Sequence, residues 1–337
     1  MMLYTSSMTK DLEYSSANFP TVIVNDGSVE TIEQAERWIG GNLQDLKREL
    51  DSSGAVLFRD FPIADVEGFD RFFSAFGYAN FTYRESLSNA VRIDHTERVF
   101  TANEAPKDVE IFIHNEMAQT PIYPNVISLF CQTAAEKGGA TTICRSDEIY
   151  NQLLASHPDL TEKLETLGVK YTSRMPSEDM AESGQGRSWK GTLSVDTRDQ
   201  AEGKLQELGY SWQWNDDGSL SAQTSTLPAV QTYSTGRKVF FNQLIAAYMG
   251  WEGVRDNPSV ALCFGDGSDI PASFLDAAVR IAESISHDLA WQDGDVAIVN
   301  NMLSMHGRRP YSGDRKRSVF VTLGLNRDRA NLRQNEV

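Results

Sequence analysis

Apolar runs with β texture occur in two distant parts of this chain, and that separation limits the folds it can adopt. Residues 109–114 (VEIFIH), 125–131 (NVISLFC) and 140–144 (ATTIC) form one group; 295–299 (DVAIV) and 318–323 (SVFVTL) form the other. Short apolar runs bounded by turn signals read as buried strands. Each strand needs partners for its backbone groups, and strands split early and late around helices suggest one common core. With helical patterns between them and no internal repeat, the expected architecture is mainly β with helices (α+β). One β-sandwich or barrel core with helical padding fits best.

The helices and turns are marked by spacing. Residues 29–50 carry helical apolar periodicity and stop before Asp51-Ser52-Ser53-Gly54, a turn signal. The short strand Ala55-Val56-Leu57-Phe58 follows, and then a second helix over 65–76 that closes at Gly77. Residues 146–168 and 271–286 read as further helices, and 228–241 as a hairpin turning at Ser234-Thr235-Gly236. Between 173 and 227 the texture becomes rich in Ser, Gly, Asp and Gln, with Trp189, Trp212 and Trp214 embedded. That segment fits either a surface excursion holding one helix or a lid over a site, since long loops in compact domains are often functional. The expected division is a polar lead-in over 1–20, one domain over 21–328 with the insertion at about 173–227, and a tail over 329–337.

Composition excludes several partners. Lys and Arg total 31 against 47 Asp and Glu, a formal charge of −16, and no basic stripe of the kind that holds nucleic acid is present. No stretch of about 18 apolar residues predicts a membrane span. The first residues lack the apolar centre of a secretion signal. Cys131, Cys144 and Cys263 have neither disulfide-framework nor zinc-ribbon spacing. A reducing cytoplasm is the expected location.

The chemistry is concentrated in His114-Asn115-Glu116. In extended chain, alternation points His114 and Glu116 the same way and Asn115 away. A third ligand, His306, would complete two histidines and one carboxylate, the facial set of non-haem Fe(II) oxygenases with positions left open for co-substrate and dioxygen. The triplet alone is equally what a surface histidine beside an acid gives; its position between two β runs, at a barrel rim, favours the metal. His95, His157 and His287 lie in a polar loop or beside helix ends. Arg315 and Arg317 introduce the last strand and would share a face by alternation. A planar guanidinium suits a carboxylate through two parallel hydrogen bonds, although a basic cluster at a solvated strand edge is the commoner fate.

These residues stand in a longer ordered pattern. His114 to Met117, then Pro124 to Ile143 (PNVISLFCQTAAEKGGATTI), then VFFNQ at 239–243, FGDGS at 264–268, Trp291 to Val296, and Asn300 to Arg315 resemble the motifs of the TauD/TfdA-type dioxygenases in order. The branch is similar to the SyrP-like and clavaminate-synthase-like proteins, and the likeness runs from about Gly54 to Leu323. It implies a double-stranded β-helix (jelly-roll) core, Fe(II), 2-oxoglutarate and O2. It assigns His114, Glu116 and His306 to iron, Thr141 to the 2-oxoglutarate carboxylate, and an arginine after His306 to the same carboxylate. The count from His306 favours Arg317; the G-x-R position falls on Arg315. Asn300 departs from the Asp usual in that context. Because Glu116 is retained, the resemblance points away from halogen transfer, which needs a small residue there.

The implied reaction is oxidative decarboxylation of 2-oxoglutarate to succinate and CO2, coupled to oxidation of an unactivated C–H bond of a small molecule. Hydroxylation is the default, with desaturation or cyclisation open to the same chemistry. The substrate class expected is an amino acid or a specialised metabolite, free or tethered to a carrier. Candidate substrate residues are Tyr83, Arg84, Asn103, Arg174, Asn242 and Gln243. Two other readings are a non-catalytic β-helix protein that binds a small ligand, and a zinc hydrolase using the same three ligands. The intact ligand set argues against the first; the GG-x-T run and late arginines are unexplained by the second.

Overall fold

A computed structural model describes residues 19–326, apart from 89, 91, 103, 104, 180–185 and 235. The expected lead-in before Phe19 and the tail from 329 lie outside the described residues, as does Thr235 of the hairpin turn. Phe19 itself is buried in the core.

Early and late strands do pair. The larger sheet runs Thr21–Val24, Ala55–Arg59, Val296–Asn300, Val126–Thr133, Ser318–Leu325 and Ala79–Phe81, with Val99–Thr101 also paired to Ser318–Leu325. The smaller sheet runs His287–Leu289, Thr141–Arg145, Ser304–Arg308 and Ile111–His114. Both faces of the larger sheet are covered, which explains why its strands read as continuous apolar runs. Ala55, Leu57, Ile127, Leu129, Ala297, Val299, Val319 and Val321 point inward and meet Ile143 and Leu289 of the smaller sheet. Val56, Phe58, Val126, Phe130, Val296, Ile298 and Phe320 point outward onto two helices. The core lies between the sheets, as a jelly roll requires. Helix accounts for about 30% of the chain and strand for about 29%, so the padding is as extensive as the core it covers.

The two outer helices follow from local signals. Ile32–Ser53 starts at a capping box in which Thr31 and Gln34 satisfy each other's backbone N–H groups. It runs through the expected turn signal and stops at Gly54, whose φ of 92° is left-handed. Val66–Ser74 is capped by Asp65 and buries Phe69, Phe72 and Phe73 against Phe58, Phe76 and Phe130. Truncating a ring such as Phe72 to Ala would cost about 3–5 kcal/mol. The single helix expected over 146–168 is two, Ser146–Ser156 and Pro158–Leu167, because Pro158 at a helix start cannot continue the one before it. The hairpin pairs Val230–Thr232 with Lys238–Phe240. No helix among the described residues is long and apolar enough to cross a membrane.

The segment 173–227 is more ordered than its composition suggests. It supplies the strands Ser211–Trp214 and Leu220–Gln223 and the end of Val169–Met175 to a four-stranded sheet completed by Leu262–Phe264. Among its described residues it has two helices, Trp189–Leu193 and Arg198–Glu207, where one was expected. Trp189 packs edge-on to Trp214, with ring centres 5.1 Å apart, inside a small core with Met175, Leu205 and Leu220. The tryptophans are therefore packing residues.

Candidate metal centre and its two cavities

His114 closes the strand Ile111–His114 and faces His306 of Ser304–Arg308, its cross-strand partner. The rings lie 4.5 Å apart between centres. Glu116 falls in the turn beyond the strand, so it reaches the histidines through that turn and not by alternation alone. The turn is held by asparagines. Asn301 accepts from the Glu116 N–H at 2.7 Å through Oδ1 and donates to the Glu116 and Pro124 carbonyls at 3.0 and 2.9 Å through Nδ2. Asn115 points away from the site, as expected, and donates to the Asn301 carbonyl at 2.6 Å. Gly307 permits the approach of the two strands: a Cβ there would lie 2.5 Å from the Ile111 carbonyl oxygen.

Three donor atoms converge. Glu116 Oε2 lies 3.7 Å from His114 Nε2 and 3.3 Å from His306 Nε2, and the ligand atoms all fall within 4.8 Å of one another. His114 Nδ1 lies 2.8 Å from the Phe112 carbonyl oxygen and donates to it, which leaves the Nε2 lone pair facing Glu116. Burial opposes ionisation of Glu116, but the two histidines outweigh it and hold the carboxyl well below the usual range. Burial, and then repulsion from His114, lower His306. An anionic carboxylate beside a neutral imidazole is the protonation state metal ligation needs. Lone pairs from three donors turned on one point fit a cation between them, with a carboxylate and two nitrogens suited to iron. Tyr83, its hydroxyl pushed up by burial and therefore protonated, lies 3.4 Å from Glu116 Oε1, the oxygen turned away from the histidines.

The triad stands between two cavities. An inner one of about 60 Å³ is lined by Thr141, Arg308, Arg317, Ile127, Leu129 and Val319 among others. An outer one of about 170 Å³ is lined by Ser88, Glu110, Gln119, Gln243, Gly250 and Trp251 among others. His114, Glu116, Arg92 and Ile111 line both. The inner cavity holds three guanidiniums (Arg92, Arg308, Arg317) against one carboxylate, so its field favours an anion. Thr141 is fixed by a 3.0 Å hydrogen bond from Trp291 Nε1, and Arg317 Nε donates to the Gly139 carbonyl at 3.2 Å. Burial, with Arg308 nearby, pushes the Arg317 guanidinium down to about 10, still fully charged at neutral pH.

The other expected residues are scattered. Arg315 turns to solvent and pairs with Asp293, because the strand begins only at Ser318 and alternation does not extend back to it. Arg84 has an 84% exposed side chain and faces Asp94; Arg174 pairs with Asp217 on the surface. Neither lines either cavity. Asn242 is buried and donates to the Ala229 carbonyl at 2.9 Å, a structural role, whereas Gln243 does line the outer cavity. Asn103 lies outside the described residues. Asn300 faces Asp51 and Tyr233, away from the triad. Sequence reasoning missed Asn301, Arg92 and Arg308; only the position of Asn301 and Arg308 inside the Asn300–Arg315 motif marked them. Among the described residues, the 173–227 segment lines neither cavity, but Arg187 donates to the Ser88 carbonyl at 2.9 Å and to that of Tyr83 at 3.4 Å, tying down the loop that carries both.

A jelly roll carrying a His-x-Glu…His set between an anion-favouring cavity and an outer one defines an Fe(II)/2-oxoglutarate-dependent dioxygenase. The chain belongs to the TauD/TfdA family: the model for "Taurine catabolism dioxygenase TauD, TfdA family" matches residues 29–323. A clavaminate synthase-like protein of Arabidopsis thaliana is 34% identical over 329 residues, 96% of this chain and 98% of that one. The dapdiamide synthesis protein DdaC of Enterobacter agglomerans is 27% identical over 286 residues, 79% of this chain and 81% of its own. Among solved structures, an asparagine oxygenase in complex with Fe(II), 2S,3S-3-hydroxyasparagine and succinate superposes with a TM-score of 0.54 at 12% identity, over 89% of this chain and 86% of that one. AAD-2 in complex with Mn(II) and N-oxalylglycine gives a TM-score of 0.53 at 14% identity, over 96% and 98%. These two likenesses show the shared fold.

Proposed function

We propose that this dioxygenase oxidises a C–H bond of a small polar molecule, with hydroxylation as the outcome, using O2 and releasing succinate and CO2 from 2-oxoglutarate. The observation that carries the reading is the convergence of His114, Glu116 and His306 where two cavities meet, His114 and Glu116 lining both and His306 the inner, arginine-rich one. In this reading His114, Glu116 and His306 hold Fe(II), which supplies the oxidising chemistry when bound. Thr141 and Arg317 take the far carboxylate of 2-oxoglutarate in the inner cavity, with Arg308 adding to the positive field. Arg315 has no part in it.

The primary substrate occupies the outer cavity. Its lining offers Ser88, Gln119 and Gln243 as hydrogen-bonding groups and Trp251 as an apolar face, and Glu110 is already paired with Arg309 at 2.7 Å. Such a cavity suits an amino acid or a metabolite of similar size, taken up free. Tyr83 keeps its proton and steadies the second oxygen of Glu116, and Ile127, Leu129, Val319 and Val321 give the inner cavity an apolar wall. The three cysteines stand as free thiols, in keeping with a cytoplasmic enzyme.

The test is succinate formation from 2-oxoglutarate by Fe(II)-loaded protein under O2, against a panel of free amino acids and related metabolites. Turnover that rises with one panel member, with that member gaining one oxygen atom, is the expected result. Absence of both coupled and uncoupled turnover in iron-loaded protein would remove the reading.

A further inference from the structure

A third cavity lies behind the inner one. It is a groove of about 610 Å³ lined by Ile93, His95, Lys107, Arg315, Lys316 and Arg317 among others. It meets the inner cavity at Ala102, Arg317 and Val319, which line both. The groove and the outer cavity share only Ala105 among their lining residues. Its charge runs against that of the molecule. The chain carries −16 overall, yet the groove presents Lys107, Arg315, Lys316 and Arg317 against one lining carboxylate, Asp314. Arg315 is offset by Asp293, whereas Lys107 and Lys316 are exposed and have no ion pair among the described residues.

A dianion approaching a protein of net charge −16 is repelled over most of the surface. A cleft lined by cations focuses the field and raises the local concentration of an anion, and such steering raises association rates by about 10 to 1000-fold. The outer cavity offers no lysine, and its lining sets two carboxylates, Glu116 and the Arg309-paired Glu110, against one guanidinium, Arg92. Arg317 forms the floor of the groove and the wall of the inner cavity. A dicarboxylate reaching it from the groove arrives at the guanidinium that is to hold its far carboxylate.

We propose that 2-oxoglutarate reaches the metal centre through this Lys107/Lys316 groove, past Arg317, while the primary substrate uses the outer cavity on the other side of the triad. The inference rests on the co-substrate reading given above. It makes the groove a transient dicarboxylate-binding site, and it lets succinate leave while the outer cavity is still filled.

The experiment loads the protein with Mn(II), which permits binding without turnover, and titrates 2-oxoglutarate by calorimetry analysed for rate as well as heat. Lys107→Glu with Lys316→Glu is expected to slow association about tenfold at low ionic strength, the difference vanishing near about 1 M salt, where the screening length falls to about 3 Å. Arg48→Glu, an exposed side chain of the helix Ile32–Ser53 that lines none of the three cavities, controls for net charge and is expected to leave the rate unchanged. Ala246→Trp, which fills the outer cavity, is likewise expected to leave it unchanged. The inference is overturned if the lysine variant associates at the parental rate, if Arg48→Glu slows association equally for the charge changed, or if Ala246→Trp alone slows it. Parental protein that binds Mn(II) but takes up no 2-oxoglutarate removes the co-substrate reading itself, a result distinct from the other three.

Discussion

The side chain of Asn301 brackets the backbone of Glu116, accepting from its N–H at 2.7 Å and donating to its carbonyl at 3.0 Å. Asn301 lies in the turn that joins Val296–Asn300 to the strand carrying His306, so one amide ties the carboxylate to the hairpin that supplies the third donor. Asn301→Ala leaves buried backbone groups unpaired, each worth about 1–3 kcal/mol. Lower Tm and Mn(II) affinity reduced about 10- to 100-fold are expected, as for other groups that orient metal ligands. A thermal melt and a metal titration check both; a parental metal affinity would show that Glu116 is held by its own turn without Asn301.

Glu116→Ala is expected to abolish succinate formation while the fold is kept, since Glu116 lies at the cavity wall and its ion-pair partners are the two histidines, which can be neutral without it. Circular dichroism and a succinate assay on the same preparation separate the two effects. Hydroxylation that survives in this variant would reassign the triad.

Arg317 and Arg315 make opposite forecasts. Binding of 2-oxoglutarate at about 100 times its Kd would stabilise the folded protein by about 2.7 kcal/mol, read as a rise of several degrees in Tm. Arg317→Met is expected to lose that rise, because the buried cation that meets the dicarboxylate is gone, and Arg315→Met to retain it. Arg317→Lys is expected to fall between, since an ammonium keeps the charge but not the planar fork. If the thermal shift follows Arg315, the inner cavity is not the co-substrate site.

Gly307→Ala tests the strand spacing at the metal centre. A Cβ there meets the Ile111 carbonyl oxygen at 2.5 Å and Ile113 N at 3.1 Å, so the two strands must part where they carry His114 and His306. Weaker metal binding with secondary structure retained is expected, measured by Mn(II) titration and circular dichroism.

Arg187→Ala removes the tie between the 173–227 segment and the loop bearing Tyr83 and Ser88. A higher KM for the primary substrate with an unchanged KM for 2-oxoglutarate is expected from steady-state kinetics. A change confined to 2-oxoglutarate would place the loop's influence on the wrong cavity.

Much of this was legible in the sequence because it rests on periodicity. The strands Val126–Thr133, Val296–Asn300 and Ser318–Leu325 bury both faces, and they read as continuous apolar runs for that reason. His114, Glu116 and His306 were found from spacing and motif, and the structure brings their donor atoms together. The arginines were harder. Arg315 and Arg317 differ by a strand start and a register shift between Ser318 and Val319, neither of which alternation can foresee. Arg84 and Arg174 carry the right charge for a substrate carboxylate, but whether a cation faces a cavity or solvent is decided by tertiary packing. The 173–227 segment misled in the same way: its polar residues coat a small core whose apolar members, Met175, Leu193, Leu205 and Leu220, are too sparse to show a period. Asn301 gave no signal beyond its place in a motif, because its work is done by hydrogen bonds to a backbone 185 residues away.

His114 and His306 are cross-strand partners far apart along the chain. Pairing at that separation is late and slow in folding, because loop closure must come before any contact returns energy. The growing chain therefore holds at most His114 and Glu116 while most of it is being made, and two donors on a loose turn bind iron weakly. The full set of donors comes into being only when the roll has closed around it. Metal affinity at this site is thus a property of the closed fold and not of the unfolded chain.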